Sequence, residues 1–192
     1  MNVFKCVCVG IVAILLCGCF ESRAEFNALN LGKINALYEN GALKIMPHCD
    51  GECSKQSSDS QQSAKFANEA KQRFAENQKD NAPFILFFFT STCGVCKAQI
   101  PILQEIVNES ANNGARIYAI LGNAPDRQKA VEYANANAIS LPLFYESGAK
   151  RFFSQIVGGV KGVPVVVVFD KDGKIKERFI GLTPKSVLKS TL

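Results

Sequence analysis

The feature that most constrains the fold is the order of three pieces within residues 83–107: an apolar run, two cysteines, then an amphipathic segment. The run Pro83-Phe84-Ile85-Leu86-Phe87-Phe88-Phe89 is aromatic and bounded by turn residues, so it reads as a buried strand. Residues 97–107 place apolar side chains at helical spacing and read as a helix. Between them stands Cys93-Gly94-Val95-Cys96. Where a central strand turns into a helix, the first thiol faces unpaired backbone N–H groups and the positive end of the helix dipole. Both favour a thiolate. Cys96, one turn further along, stays within bonding reach and can close a disulfide on Cys93. Two simpler readings are a structural disulfide and half of a zinc site. Zinc needs four ligands, and the remaining partners would be His48, Cys49 and Cys53. Neither reading requires the strand–helix setting, so no metal or cofactor is expected.

The first twenty residues bear on compartment. Lys5 is the only charge before Glu21, and residues 7–16 form an apolar core of signal-peptide length. Leu16-Cys17-Gly18-Cys19 follows and resembles a bacterial lipobox, in which a small residue precedes the cysteine that is acylated. Cys19 fits because Gly18 precedes it. Residues 1–18 are thus expected to be a lipoprotein signal peptide, with the mature chain anchored to the membrane of the bacterial envelope through Cys19. Cys6, Cys8, Cys17 and Cys19 belong to this segment, which leaves Cys49, Cys53, Cys93 and Cys96. An even number in an exported protein suits persistent disulfides. The formal charge of +5 is mild, and no basic stripe interleaved with aromatics suggests nucleic acid.

Further along, residues 19–60 read as a tether or extension. In it, 20–41 is a short helix or tether (Phe26, Leu29, Leu31, Ile34, Leu37), 42–46 a strand ended by Pro47, and 49–62 an exposed loop. Cys49 and Cys53 in that loop are suited to a local disulfide; a second redox pair is the sharper alternative, with His48 as its helper. Residues 63–78 place Phe66, Ala70 and Phe74 on one helical face. Strands are expected at 115–121, 141–145, 162–169 and 174–180. Helices are expected at 125–138, 148–156 and 184–192, and Asp170-Lys171-Asp172-Gly173 is a hairpin turn. Pro101 interrupts the helix after the cysteines, and Pro164 opens a strand of four valines, where a missing N–H is tolerable. This order gives an α/β chain with a mixed central sheet and helices on both faces.

With those residues in place, the chain resembles the thioredoxin-like superfamily over roughly 60–192, in particular its exported TlpA/ResA type. The resemblance rests on Phe89-Thr90-Ser91-Thr92-Cys93-Gly94-Val95-Cys96-Lys97, Pro101-Ile102-Leu103, Gly162-Val163-Pro164 and the Asp-Lys-Asp-Gly hairpin. It implies a thioredoxin fold over 61–192 with Cys93 as attacking thiol and Cys96 as resolving thiol. It also implies a cis Val163–Pro164 bond facing the dithiol, which leaves the Val163 backbone free to pair with an extended substrate. Thr92, Gly94 and Val95 would complete the substrate contacts.

Three positions depart from the pattern. Phe87 stands where a buried Asp is common, Gln99 where a Glu is common, and Thr92 where a Trp is common. The base for the second thiol is therefore unassigned, with water and Glu132 as the alternatives.

The cysteine pair points to dithiol–disulfide exchange, and the resemblance implies a reductant of periplasmic protein disulfides such as those of apocytochrome c. Electrons would come from a membrane thiol donor of the DsbD/CcdA type. Thr92-Cys93-Gly94 also resembles the start of a DsbC-type site, which implies an oxidase or isomerase as the alternative. A non-enzymatic lipoprotein with structural cysteines is the alternative from another class. A peroxidase is a weaker one: Thr90 fits, but Leu86 stands where a proline is expected. A Cys–His hydrolase would depend on His48, the one histidine.

Overall fold

The computed structural model describes residues 22–47, 82–109 and 116–192. In chain order its elements are β1 (Ser22–Leu29), β2 (Gly32–Glu39), β3 (Ala42–Pro47), β4 (Phe84–Phe89), α1 (Gly94–Glu109), β5 (Arg116–Leu121), α2 (Arg127–Ala136), β6 (Leu143–Phe144), α3 (Ser147–Ile156), β7 (Val165–Phe169), β8 (Ile175–Ile180) and α4 (Lys185–Thr191). The strands form one mixed sheet in the order β3-β2-β1-β6-β5-β4-β7-β8. β4 runs parallel to β5 and antiparallel to β7, and β5 runs parallel to β6. The central strands are apolar at successive positions because both faces of the sheet are covered.

Side-chain alternation divides the core in two. Phe84, Leu86 and Phe88 of β4 point to one cluster with Tyr118, Ile120, Val165 and Val167. Ile85, Phe87 and Phe89 point to the other with Ile117, Leu121, Val166 and Val168. The first cluster is closed by Ala149, Phe153 and Val157 on the α3 side, and by Phe26, Ile34, Leu43 and Ile45 of the N-terminal strands. The second is closed by Cys96, Ile100, Leu103 and Ile106 of α1, Ala130 and Ala134 of α2, and Leu188 of α4.

The helix or tether expected over 20–41 is instead a β-hairpin, β1–β2, continued by β3 and built into the sheet through pairing of β1 with β6. The apolar residues spaced three and four apart obscured a period of two: Phe26 and Ala28, then Ile34 and Ala36, are the buried positions. Asn40-Gly41 carried the sharper signal. Both residues have positive φ (52° and 78°) and form the two-residue loop that joins β2 to β3. Asn30, at φ 69°, turns the first hairpin, and its side chain donates to the carbonyls of Ile139 and Leu141.

The N-terminal strands curl over the first face until Leu43 N–H donates to the Gly173 carbonyl at 2.7 Å. Gly173 is required there for two reasons: its φ is +77°, and a Cβ would run into the Leu43 carbonyl.

The other strands and helices expected within the described residues are present, with ends shifted by a few residues. The strand expected over 141–145 shortens to Leu143–Phe144, and Asp126, after Pro125, caps α2 by accepting from Lys129 N–H at 2.8 Å. The segments 1–21 and 48–81 lie outside the described residues, and with them the expected signal peptide, Cys19, His48, Cys49, Cys53 and the helix over 63–78. No helix among the described residues is long and apolar enough to cross a membrane.

Candidate active site

Phe89 ends β4, and a short turn delivers the chain to α1. Cys93 N–H donates to the Thr90 carbonyl, and Gly122 N–H donates to the Phe89 carbonyl. Ser91 is held by a reciprocal pair: its N–H donates to Asn123 Oδ1 at 2.8 Å, and Asn123 Nδ2 donates to Ser91 Oγ at 2.9 Å. The loop before the dithiol is thereby tied to the loop after β5.

Cys93 sits at the N-cap of α1. Its Sγ accepts from the Cys96 N–H at 3.1 Å, where a capping serine would place an oxygen. The same sulfur is bonded to Cys96 Sγ at 2.11 Å. Cys93 is half-buried, whereas Cys96 is wholly enclosed in the apolar cluster under α1. Once the bond is reduced, the free amide and the helix N-terminus stabilise negative charge on Cys93, and burial opposes charge on Cys96. The arrangement favours one attacking sulfur and one waiting sulfur.

The Val163–Pro164 peptide bond is cis. It brings the Val163 carbonyl to 3.9 Å from Cys93 Sγ. Pro164 is buried, and its carbonyl accepts from Gly181 N–H at 2.9 Å. Thr92 and Gly94 are exposed beside the disulfide, and Val95 is 50% exposed. Ile180, 76% exposed, and Leu182, 51% exposed, flank Gly181. The residues singled out from sequence around the dithiol (Thr92, Gly94, Val95, Val163 and Pro164) therefore lie in the segments that meet at the disulfide.

The three departures also find their places. Phe87 stacks on Phe89 with ring centroids 5.0 Å apart in the cluster that holds Cys96. Gln99 is fully buried, and both ends of its amide are used: Oε1 accepts from Thr183 N–H at 2.7 Å, and Nε2 donates to the Thr183 carbonyl at 3.1 Å. It clasps the segment that follows Gly181, a structural role that sequence reading did not assign to it. Glu132 is engaged on its own helix, accepting from Lys129 at 2.7 Å and Gln128 at 3.1 Å. Those two donors hold its carboxyl below the usual range, the Lys129 hydrogen bond contributing most. Nothing in sequence spacing pointed to Asn123, Thr183 or Gly122, since each acts through a long-range contact.

A cavity of about 230 Å³ is bordered by Val163, whose carbonyl faces Cys93 Sγ. Its walls include Val163, Thr90, Gly122, Lys150 and Lys161. Arg178 steadies the loop that forms one side of it, donating to the carbonyls of Val157 at 2.8 Å and Gly159 at 2.7 Å.

Comparison with known proteins places this geometry. The chain is 29% identical over 110 residues to the thiol-disulfide oxidoreductase ResA of Bacillus thuringiensis, a match that takes in 56% of this chain and 60% of that one. The chain thus spans about 60% of the length of the curated relatives it matches. Among solved structures, it is similar to the thioredoxin domain of a thiol-disulfide oxidoreductase from Bacteroides vulgatus, with a TM-score of 0.53 at 11% identity over 89% of this chain and 94% of that one. A thiol:disulfide interchange protein of the thioredoxin family from Chlorobium tepidum gives a TM-score of 0.52 at 22% identity, covering 61% and 80% of the two chains. These likenesses establish the thioredoxin fold. The model of the AhpC/TSA family matches residues 58–178, more than half of the sequence, and the chain belongs to that thioredoxin-like family.

Proposed function

We propose that this chain is an exported, lipid-anchored thiol–disulfide oxidoreductase that reduces protein disulfides outside the cytoplasm. The observation that carries the reading is the Cys93–Cys96 bond at a helix N-terminus, with its half-buried sulfur against the Val163 carbonyl. The ResA relatives support the reaction class.

In the reducing direction, the Cys93 thiolate attacks one sulfur of a substrate disulfide. A Cys93–S–S–substrate bond forms, the substrate S–S bond breaks, and the second substrate sulfur leaves as a thiolate that takes a proton from water. Cys96 then loses its proton and attacks Cys93 Sγ. The intramolecular disulfide forms, the mixed disulfide breaks, and the first substrate sulfur departs as a thiolate. Two electrons have passed from the protein to the substrate. The Val163 backbone aligns the substrate strand, and exposed Val95 offers it an apolar contact beside the dithiol. The Cys96 proton leaves through water, because Gln99 has no acidity to offer and Glu132 is committed to Lys129. Electrons return from a membrane dithiol donor of the DsbD/CcdA type, and apocytochrome c disulfides are the substrate class that fits such a reductant. Export through residues 1–18 and acylation at Cys19 would hold the domain at the membrane.

A Cys96→Ser variant tests the reading, because it should accumulate mixed disulfides through Cys93 with extracytoplasmic proteins. Insulin reduction without repair of scrambled ribonuclease marks a reductant. Repair of ribonuclease would move the assignment to an isomerase. A Cys96→Ser variant that traps nothing, together with a parent protein that leaves insulin intact, would remove the enzyme reading altogether.

A further inference from the structure

We propose that the cavity beside Val163 is a subsite for a carboxylate side chain of the disulfide substrate, close to the reacting cysteine. The inference rests on the exchange reading above. The cavity shares Val163 with the dithiol, and the Val163 carbonyl lies 3.9 Å from Cys93 Sγ. A strand rises roughly 3.3 Å per residue, so a side chain within about two residues of the reacting cysteine reaches the opening.

The lining selects an amphipathic acid. Its inner wall is apolar, from the buried residues Phe88, Phe89 and Ile120, and accepts the methylene stem of a glutamate. Two cations, Lys150 and Lys161, are on the wall, and among the described residues no carboxylate lines it. Lys150 is positioned in advance, since its Nζ donates to the Gly122 carbonyl at 2.8 Å. The Glu146 carboxylate, one turn earlier on α3, accepts from Asn27 Nδ2 at 3.0 Å and does not line the cavity. A Cβ at Gly122 would meet the Phe89 carbonyl at 3.4 Å, Lys150 Cε at 3.6 Å and Thr90 Cγ2 at 3.7 Å, ordinary contacts, so a methyl group fits there beside Lys150. A basic pocket with an apolar floor, sharing Val163 with the dithiol site, discriminates by charge near the target cysteine rather than by overall fold of the substrate.

The test uses two disulfide-bonded peptides, identical except for Glu or Gln beside the cysteine, and the reduced protein. The second-order rate is expected to be about fivefold higher for the Glu peptide at low salt, the upper range for one exposed charge pair. That ratio should fall towards one in Lys161→Gln, in Lys150→Gln and in half-molar salt. Gly122→Ala, which places a methyl group in the cavity, should lower it as well. Equal rates for the two peptides, or a ratio that survives both lysine substitutions, would overturn the subsite and leave the exchange chemistry standing. Failure of the protein to reduce either peptide would overturn both.

Discussion

Replacing Gln99 by glutamate substitutes one hydrogen-bonding group in the clasp beside the active site and leaves its shape unchanged. Gln99 has no solvent exposure, and its Nε2 donates to the Thr183 carbonyl at 3.1 Å while its Oε1 accepts from the Thr183 N–H. An ionised glutamate keeps the second bond but sets a carboxylate oxygen against the carbonyl. Protonation converts that oxygen to an O–H donor and restores the clasp. Burial and the opposed carbonyl together raise the folded-state pKa, by about two units above the ordinary value of about 4.3. The sign follows from proton binding. Below about pH 4 both folded and unfolded chains hold the proton, and the variant should lie within about 1 kcal/mol of the parent. As pH rises the unfolded chain ionises first, so stability is lost until the folded carboxyl ionises in turn, by about 3 kcal/mol in all. For a domain of this size that is about 6–12 °C in Tm. Thermal unfolding of the oxidised protein and the variant between pH 4 and pH 8 measures the difference. A Tm offset that is the same at every pH would refute the clasp as the reason for the amide. Because Gly181 N–H bonds the Pro164 carbonyl at 2.9 Å, a loosened clasp should also slow attack by Cys93.

Gly173→Ala should cost about 2–4 kcal/mol, from left-handed strain at φ +77°, the collision with the Leu43 carbonyl and loss of the Leu43–Gly173 hydrogen bond. Urea midpoints measure it, and the Cys93 exchange rate of the folded fraction should not change. Glu109 accepts from Lys185 at 2.7 Å and Lys189 at 2.9 Å, which lowers its carboxyl from 4.5 to about 2. Its folded value is depressed, so this cluster between α1 and α4 contributes fully above about pH 4.5 and is lost as pH falls towards about 2. Glu109→Gln should therefore flatten the acid limb of a stability-against-pH curve, and an unchanged limb would show that the cluster contributes nothing.

What was legible in the sequence was whatever short-range pattern determines. The Phe84–Phe89 strand, the helix after the cysteines and the turn at Asp170-Lys171-Asp172-Gly173 each carry their signal within a few residues, and each stands where it was expected. Cys93, Cys96, Val163 and Pro164 meet because those elements follow one another in a known order. The N-terminal strands are hard to read because apolar residues also stand outside the buried positions: Leu29 and Leu37 are half-buried on the strands, and Leu31 in the turn, beside the truly buried Phe26 and Ile34. A period of two with apolar residues on both faces imitates a helical repeat. Asn40-Gly41 outweighs that repeat, since two consecutive residues of positive φ suit a tight hairpin and no helix. The clasp of Gln99 on Thr183 and the tie of Ser91 to Asn123 join residues 84 and 32 positions apart. Local pattern carries no trace of such pairs. Gln99 drew notice as a missing acid, and only the packed structure shows what the amide does instead.

The most direct measurement is alkylation of the reduced protein by iodoacetamide from pH 4 to pH 9, with each cysteine followed separately by mass spectrometry. An ionised sulfur at the α1 N-terminus predicts that Cys93 reacts along a single titration centred below about 8.5, the value for an unperturbed thiol, while Cys96 stays protected. A Cys93 that remains inert until above that pH, or a Cys96 that reacts first, would contradict the division of labour between the two sulfurs on which the exchange mechanism depends.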